Sequence, residues 1–215
     1  MDVAVLEFVH PSTMIIAGPT GCGKSYFVVR MLDEHMFDRP IDRVYWYYKE
    51  WQPLFDEIVA RYNGGVEFTQ NLPESFDHLD VRLNNLVIID DLMTDSGRSD
   101  HVSTLFTVGS HHRNASVILL TQNLFSREKT TRTISLNSHY IAIMKNPRDK
   151  SQIRSFAAQF SPTNVQFLVE SYHDATVEPH SYLLVDCRPE TPDDYRVRAQ
   201  IFPSDINGTV VYKPK

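Results

Sequence analysis

Apolar residues fall along this chain in short blocks separated by longer mixed stretches. The blocks MIIA, LVIID, VILLT and YIAIM are almost unbroken runs of hydrophobic side chains. Strands covered by helices on both faces read this way, whereas strands with one wet face alternate. Strands are therefore predicted at Thr13–Ala17, Tyr140–Met144, 43–47, 86–90, 117–121 and 182–185. The mixed stretches predict helices at Lys24–Asp33, Pro53–Tyr62, 100–112, 150–160 and 162–172. In the last of these, Val165, Phe167, Leu168 and Tyr172 recur at helical spacing, a core-facing stripe. The runs 196–202 and 209–212 read as extended edge strands. Strands alternating with helices predict an α/β protein with a mostly parallel central sheet. No repeat or long linker divides the sequence, so 1–215 is expected to form one domain, with 1–10 an N-terminal extension and 203–215 a C-terminal tail.

Composition changes this picture little: 215 residues, 42% hydrophobic and 22% charged, are ordinary for a globular chain with a sizeable core. No apolar run approaches the roughly 18 to 20 residues needed to cross a bilayer. The start, MDVAVLEFVH, carries acids where a secretion signal has basic residues. An intracellular protein with no membrane partner is expected. The net charge of −6 excludes a dedicated nucleic-acid coat or a polybasic membrane binder. A ring-shaped motor with a local basic lining stays compatible with it. Of the two cysteines, Cys22 lies inside a glycine-rich loop, so a structural disulfide with Cys187 is not expected.

That loop carries the most specific chemistry. IIAGPTGCGKSYFVVRML reads as strand, turn and amphipathic helix, and Gly18-Pro19-Thr20-Gly21-Cys22-Gly23-Lys24-Ser25 within it matches the P-loop pattern. Gly21 and Gly23 let backbone amides converge on phosphate oxygens without an intervening Cβ. The following helix, entered at Tyr26, turns its free N–H groups and positive dipole end towards the anion. Lys24 adds a full charge on the β- and γ-phosphates, and Ser25 offers a hydroxyl to Mg²⁺. ATP with Mg²⁺ is the expected cofactor pair.

Downstream, NLVIIDD is a buried strand ending in two carboxylates. In a P-loop protein this strand is expected beside the phosphate loop, with Asp90 holding Mg²⁺ and Asp91 acting as general base on the attacking water. The following predicted strand ends in Gln122, whose amide would sense the γ-phosphate. Arg113 precedes that strand and reads either as an arginine finger for a neighbouring subunit or as a surface residue at a helix end. His111 and His112 are adjacent, hence about 100° apart on a helix, and make a poor metal pair.

The segments MIIAGPTGCGKSYFV, VYWYYKEWQPLF, LVIIDDLM, LFTVGSHHRNASVILLTQNLF and ISLNSHYIAIMKNPRDKSQ resemble the FtsK–HerA superfamily of DNA-translocating ATPases. Within it they are most similar to genome-packaging ATPases of poxvirus-related viruses and of Maverick/Polinton and adintovirus elements. The resemblance runs from about Pro11 to Phe202. It implies an ASCE-type, RecA/FtsK-like fold and a homo-oligomeric ring, pentamer or hexamer, that drives double-stranded DNA into a capsid. It implies a capsid or portal-vertex partner, and a place in the host nucleus or cytoplasm or with the virion. It further implies phosphate and metal contacts at Lys24, Ser25 and Asp90, a sensor at Gln122 and a finger at Arg113. The sequence departs from the superfamily at Asp91, where Glu is usual. Arg127, Lys129, Arg132, Arg148 and Lys150 are candidate DNA contacts.

Four other readings compete. A small-molecule kinase would need an acceptor pocket and an arginine-rich lid, and Asp90, Asp91 and Gln122 suit water activation better. A GTPase is disfavoured because no NKxD-like segment follows the later strands. A nucleotide-gated scaffold with little hydrolysis is kept open by Asp91 itself, and a repair or recombination translocase by its shared mechanism.

Overall fold

The computed structural model describes residues 7–92, 99–124, 129–148 and 151–214. One nine-stranded sheet runs through them in the order β3-β2-β4-β5-β1-β6-β7-β8-β9. Its strands are β1 Thr13–Ala17, β2 Arg43–Tyr48, β3 Val66–Gln70, β4 Asn85–Asp90, β5 Ala115–Thr121, β6 Tyr140–Met144, β7 Tyr182–Asp186, β8 Val197–Ala199 and β9 Val210–Tyr212. The strands β1 to β6 are mutually parallel. The last three run antiparallel, each to its neighbour.

The unbroken apolar runs follow from two buried faces. Ile15, Val87, Ile89, Val117, Leu119 and Ile141 point to one side. Helices α6 Ser151–Phe160 and α7 Val165–Ala175 cover it with Ile153, Phe156, Leu168 and Tyr172. Met14, Ile16, Leu86, Ile88, Ile118 and Leu120 point to the other. There α1 Lys24–Asp33 and α2 Pro53–Tyr62 contribute Phe27, Val28, Phe55 and Ile58. Full burial contributes about 1.5–3 kcal/mol per large aliphatic side chain. That outweighs β-propensity differences of about 1 kcal/mol, so burial decides where these strands lie.

Several boundaries differ from expectation for local reasons. The helix expected at 100–112 is broken into α3 Ser99–Thr104, a π-helical turn Leu105–Gly109 and the short α4 Ser110–His112. The helix expected at 162–172 starts later, because Asn164 caps it: its side-chain oxygen accepts from the Phe167 N–H at 3.2 Å. The strand expected at 196–202 stops at Ala199, where Gln200 turns into a left-handed conformation, φ 51°. It is not an edge: β8 lies between β7 and β9, and the edges are β3 and β9. Sequence reasoning missed β3, and also α5 Lys129–Leu136, whose sequence KTTRTISL is rich in β-branched residues of modest helix propensity. The strand β9 comes from the expected tail. Within the expected N-terminal extension, Phe8 is buried and bridges Phe37.

At the amino edge of the parallel strands lies a buried ionic cluster. Asp186 and Arg198 are both buried, and their side chains pair at 3.0 Å. Arg188 joins the same carboxylate at 2.8 Å and stacks over the Tyr140 ring, whose hydroxyl accepts from the Val9 N–H at 3.0 Å. Among the described residues no helix is long and apolar enough to cross a membrane.

Candidate active site

In open parallel sheets, ligands sit at the carboxyl ends of the strands, and the predicted chemistry gathers there. Register aligns Ala17 with Thr121, Asp90 with Leu120, and Tyr48 with Asp90. The loop leaving β1 is tied down by the Gly18 N–H, which donates to the Thr121 carbonyl at 3.0 Å. Gly21 and Gly23 have φ of 77° and 100°, the left-handed region that glycine enters without penalty. Gly23 then caps α1 with no side-chain bond to its first N–H groups, leaving them for an anion. Lys24 lies across the loop, its Nζ donating to the carbonyls of Gly18 at 2.7 Å and Pro19 at 3.1 Å.

Gly18 is required for another reason. A Cβ there would lie 2.6 Å from Met144 Cβ and 2.7 Å from Cys22 Sγ. Both neighbours are buried, and burial also pushes the Cys22 thiol pKa up. Gly18→Ala is expected to cost about 1–3 kcal/mol of stability, the usual range for overpacking, and to weaken nucleotide binding. Thermal melts and nucleotide titration check this; unchanged values in both would show that the loop yields freely.

A cleft of about 680 Å³ opens over the loop, and Thr20, Gly21, Gly23, Lys24, Ser25, Tyr26, Asp90 and Asp91 line it. The structure thus brings the predicted phosphate, metal and base residues together. Asp90 is buried, which raises its pKa; the Trp46 indole and the Lys24 charge oppose that shift, and Asp91 adds to it. The Gln52 side-chain amide donates to Asp90 at 3.1 Å. Among the described residues no cluster of three or more His, Cys, Asp or Glu gathers. Any Mg²⁺ would therefore rest on the Ser25 hydroxyl, the Asp90 carboxylate, phosphates and water. Such a sparse oxygen set suits that ion.

Asp91 turns left-handed, φ 55°, and its carboxylate accepts from Gln122 Nε2 at 2.7 Å. The strand β5 lies between β4 and β1 in the sheet. The inserted strand is what carries Gln122 between the phosphate loop and the acidic pair.

Sequence reasoning gave no role to 49–54, although it noted the block VYWYYKEWQPLF. Lys49, Glu50, Trp51 and Gln52 also line the cleft. Their place comes from the parallel pairing of β2 with β4, which sets the residues after Tyr48 opposite those after Asp90 and is not written in the local sequence.

Arg113 is not brought to this chain's cleft. It lies before the first residue of β5, at the opposite edge of the sheet, and donates to the Phe76 carbonyl at 2.8 Å and to Asp77 at 2.7 Å. That guanidinium holds the Asp77 carboxyl below its usual range. Of the candidate DNA contacts, Arg127 and Lys150 lie outside the described residues, Lys129 opens α5, and Arg132 and Arg148 are exposed.

No protein-family model and no curated protein sequence matches the chain. Solved structures do. The genome packaging NTPase B204 from Sulfolobus turreted icosahedral virus 2, in complex with AMPPCP, superposes with a TM-score of 0.56 at 12% identity, over 95% of this chain and 98% of that one. Flagellar accessory protein FlaH from Methanocaldococcus jannaschii gives 0.50 at 11% identity, over 95% and 91%. The cytoplasmic domain of EssC gives 0.52 at 13% identity, over 94% of this chain and 40% of that one. Taken with the loop at Gly18 to Ser25 and the acidic strand end at Asp90, these likenesses identify the architecture as the α/β fold of P-loop NTPases.

Proposed function

We propose that this chain is a Mg²⁺-dependent ATPase that translocates double-stranded DNA during the packaging of a viral or virus-like genome. The observation that carries the ATPase reading is the convergence of Lys24, Ser25, Asp90 and Asp91 on one cleft, with Gln122 hydrogen-bonded to Asp91. The packaging reading is supported by the resemblance of the sequence blocks and by a B204 neighbour matched over nearly the whole of both chains.

In this mechanism the loop amides, the α1 N-terminus and Lys24 hold the triphosphate. Mg²⁺ held by the Ser25 hydroxyl and the Asp90 carboxylate would offset part of the phosphate charge. Asp91 takes the proton of the water attacking the γ-phosphorus, and the bond to the β–γ bridging oxygen breaks to leave ADP. Gln122 donates to the Asp91 carboxylate until the attacking water takes that place and the γ-phosphate accepts from the Gln122 amide. Subunits form a ring, so that Arg113 reaches a neighbour's phosphate only after leaving Asp77; a capsid or portal-vertex protein receives the ring.

A second reading, a nucleotide-gated assembly factor, draws on the same hydrogen bond, because an Asp91 held permanently by Gln122 would be a poor base. ATP hydrolysis by the purified chain, measured with Mg²⁺ and with or without duplex DNA, separates the two. DNA-stimulated turnover is the expected result. Tight ATP binding without turnover by assembled protein would sink the motor and favour the assembly factor.

A further inference from the structure

We propose that Gln52 is a positioning residue for the metal-holding acid: its side-chain amide fixes the turn of the Asp90 carboxylate, so that one oxygen is presented to Mg²⁺. The inference rests on the Mg²⁺-nucleotide reading of the cleft and adds a residue that this reading does not use.

The Gln52 Nε2 lies 3.1 Å from Asp90 Oδ2, across 38 residues of sequence. An ionised carboxylate only accepts, so the amide meets it with an N–H. Rotation about the last bond of an aspartate side chain is loosely restrained, and a hydrogen bond to one oxygen settles it. The Lys24 charge also acts on Asp90. A carboxylate free to turn would be drawn into a pair with that ammonium, which the phosphates need. Gln52 opposes this from the β2 side. The other polar group there, the buried Trp46 indole N–H, makes no hydrogen bond among the described residues and so cannot fix the carboxylate.

The place of Gln52 in the chain suits this role. It stands at the N-cap of α2, where Ser, Thr, Asp or Asn is preferred because a short side chain bonds the helix's own first N–H groups. Gln52 makes no such bond; its side chain crosses to Asp90 instead. Its backbone is held firmly. The Phe55 N–H donates to the Gln52 carbonyl at 2.9 Å, and the Phe55 ring is fully buried, 5.3 Å from that of Trp46. Pro53 pre-sets the first helical residue. An anchored backbone and a long amide are what reaching the acid requires. A serine at this position would serve the helix and fall short of β4.

The test is calorimetric titration of the full chain by ATP, once in excess Mg²⁺ and once in EDTA, for wild type, Gln52→Ser and Gln52→Met. Serine keeps a helix cap without the reach; methionine keeps the length without the donor. Wild type is expected to bind ATP more tightly with Mg²⁺. Both variants should lose about 10- to 100-fold of that gain, the usual effect of removing an outer-shell partner of a metal ligand. Their ATP affinity in EDTA and their melting temperatures should match wild type. A wild-type gain in both variants overturns the proposal, as does a gain kept by Gln52→Met alone, which would make length rather than the hydrogen bond the cause. Equal weakening with and without Mg²⁺ also overturns it, by showing a merely structural role. Wild type that binds ATP equally in Mg²⁺ and EDTA removes the metal reading of Asp90. Wild type that binds ATP in neither removes the nucleotide reading itself, and the role of Gln52 falls with either.

Discussion

Replacing Lys24 by alanine is expected to lower kcat/KM for ATP by about 10²–10³-fold, the usual loss when one preorganised donor to a reacting oxyanion is removed. The lysine is already in place, with Nζ within hydrogen-bond distance of two loop carbonyls, Gly18 and Pro19. Little reorganisation is needed for it to reach phosphate. The same contacts predict a small effect on folding: both carbonyls belong to a partly solvated loop, and surface changes of this kind usually stay within about 0.5 kcal/mol. The discriminating pair of measurements is turnover and melting temperature. Lost turnover with an unchanged melt supports the site; retained turnover would move the chemistry elsewhere in the molecule. Lys24→Arg is not expected to rescue, because a planar guanidinium cannot occupy the compact position of an ammonium between two carbonyls and a phosphate.

The parts of this site that were legible in the sequence are those built from contiguous residues. From Met14 to Arg30, strand, turn and helix follow without interruption, so local chemistry alone reports the loop. Asp90 was legible because a run of fully buried residues ends in an acid, a combination that needs a partner. Glu50 and Gln52 were not legible, since their place depends on β2 pairing with β4 rather than with β1. The position of β5 between β1 and β4 is likewise a matter of crossover, which local pattern does not encode. At Arg113 the shortfall was of direction: a residue before a parallel strand whose far end carries the site must lie at the opposite edge. The helix α5 escaped because, among its described side chains, a single buried apolar residue, Ile134, anchors it amid polar and β-branched neighbours.

Asp91 carries the second large effect. Asp91→Asn is expected to reduce ATP turnover by about 10²–10⁴-fold, the range for loss of a general base, with ATP binding retained. Asparagine is nearly isosteric, tolerates the left-handed backbone at φ 55°, and keeps an oxygen that can accept from Gln122, so charge is the main thing removed. The same backbone bears on why aspartate stands here. Asp and Asn are enriched in this conformation over longer side chains, and an added methylene would push the carboxylate past its 2.7 Å contact with Gln122. Asp91→Glu is therefore expected to be slower than wild type. A faster Asp91→Glu enzyme would show instead that the reach of the carboxylate limits hydrolysis. Glu50 provides the sharpest control, because it is a third carboxylate lining the same cleft. If Asp91→Asn keeps substantial turnover and Glu50→Gln loses it, the water is activated from the β2 side of the cleft. Loss confined to Asp91→Asn, with the Glu50 variant active, leaves the acidic pair at the end of β4 as the catalytic centre.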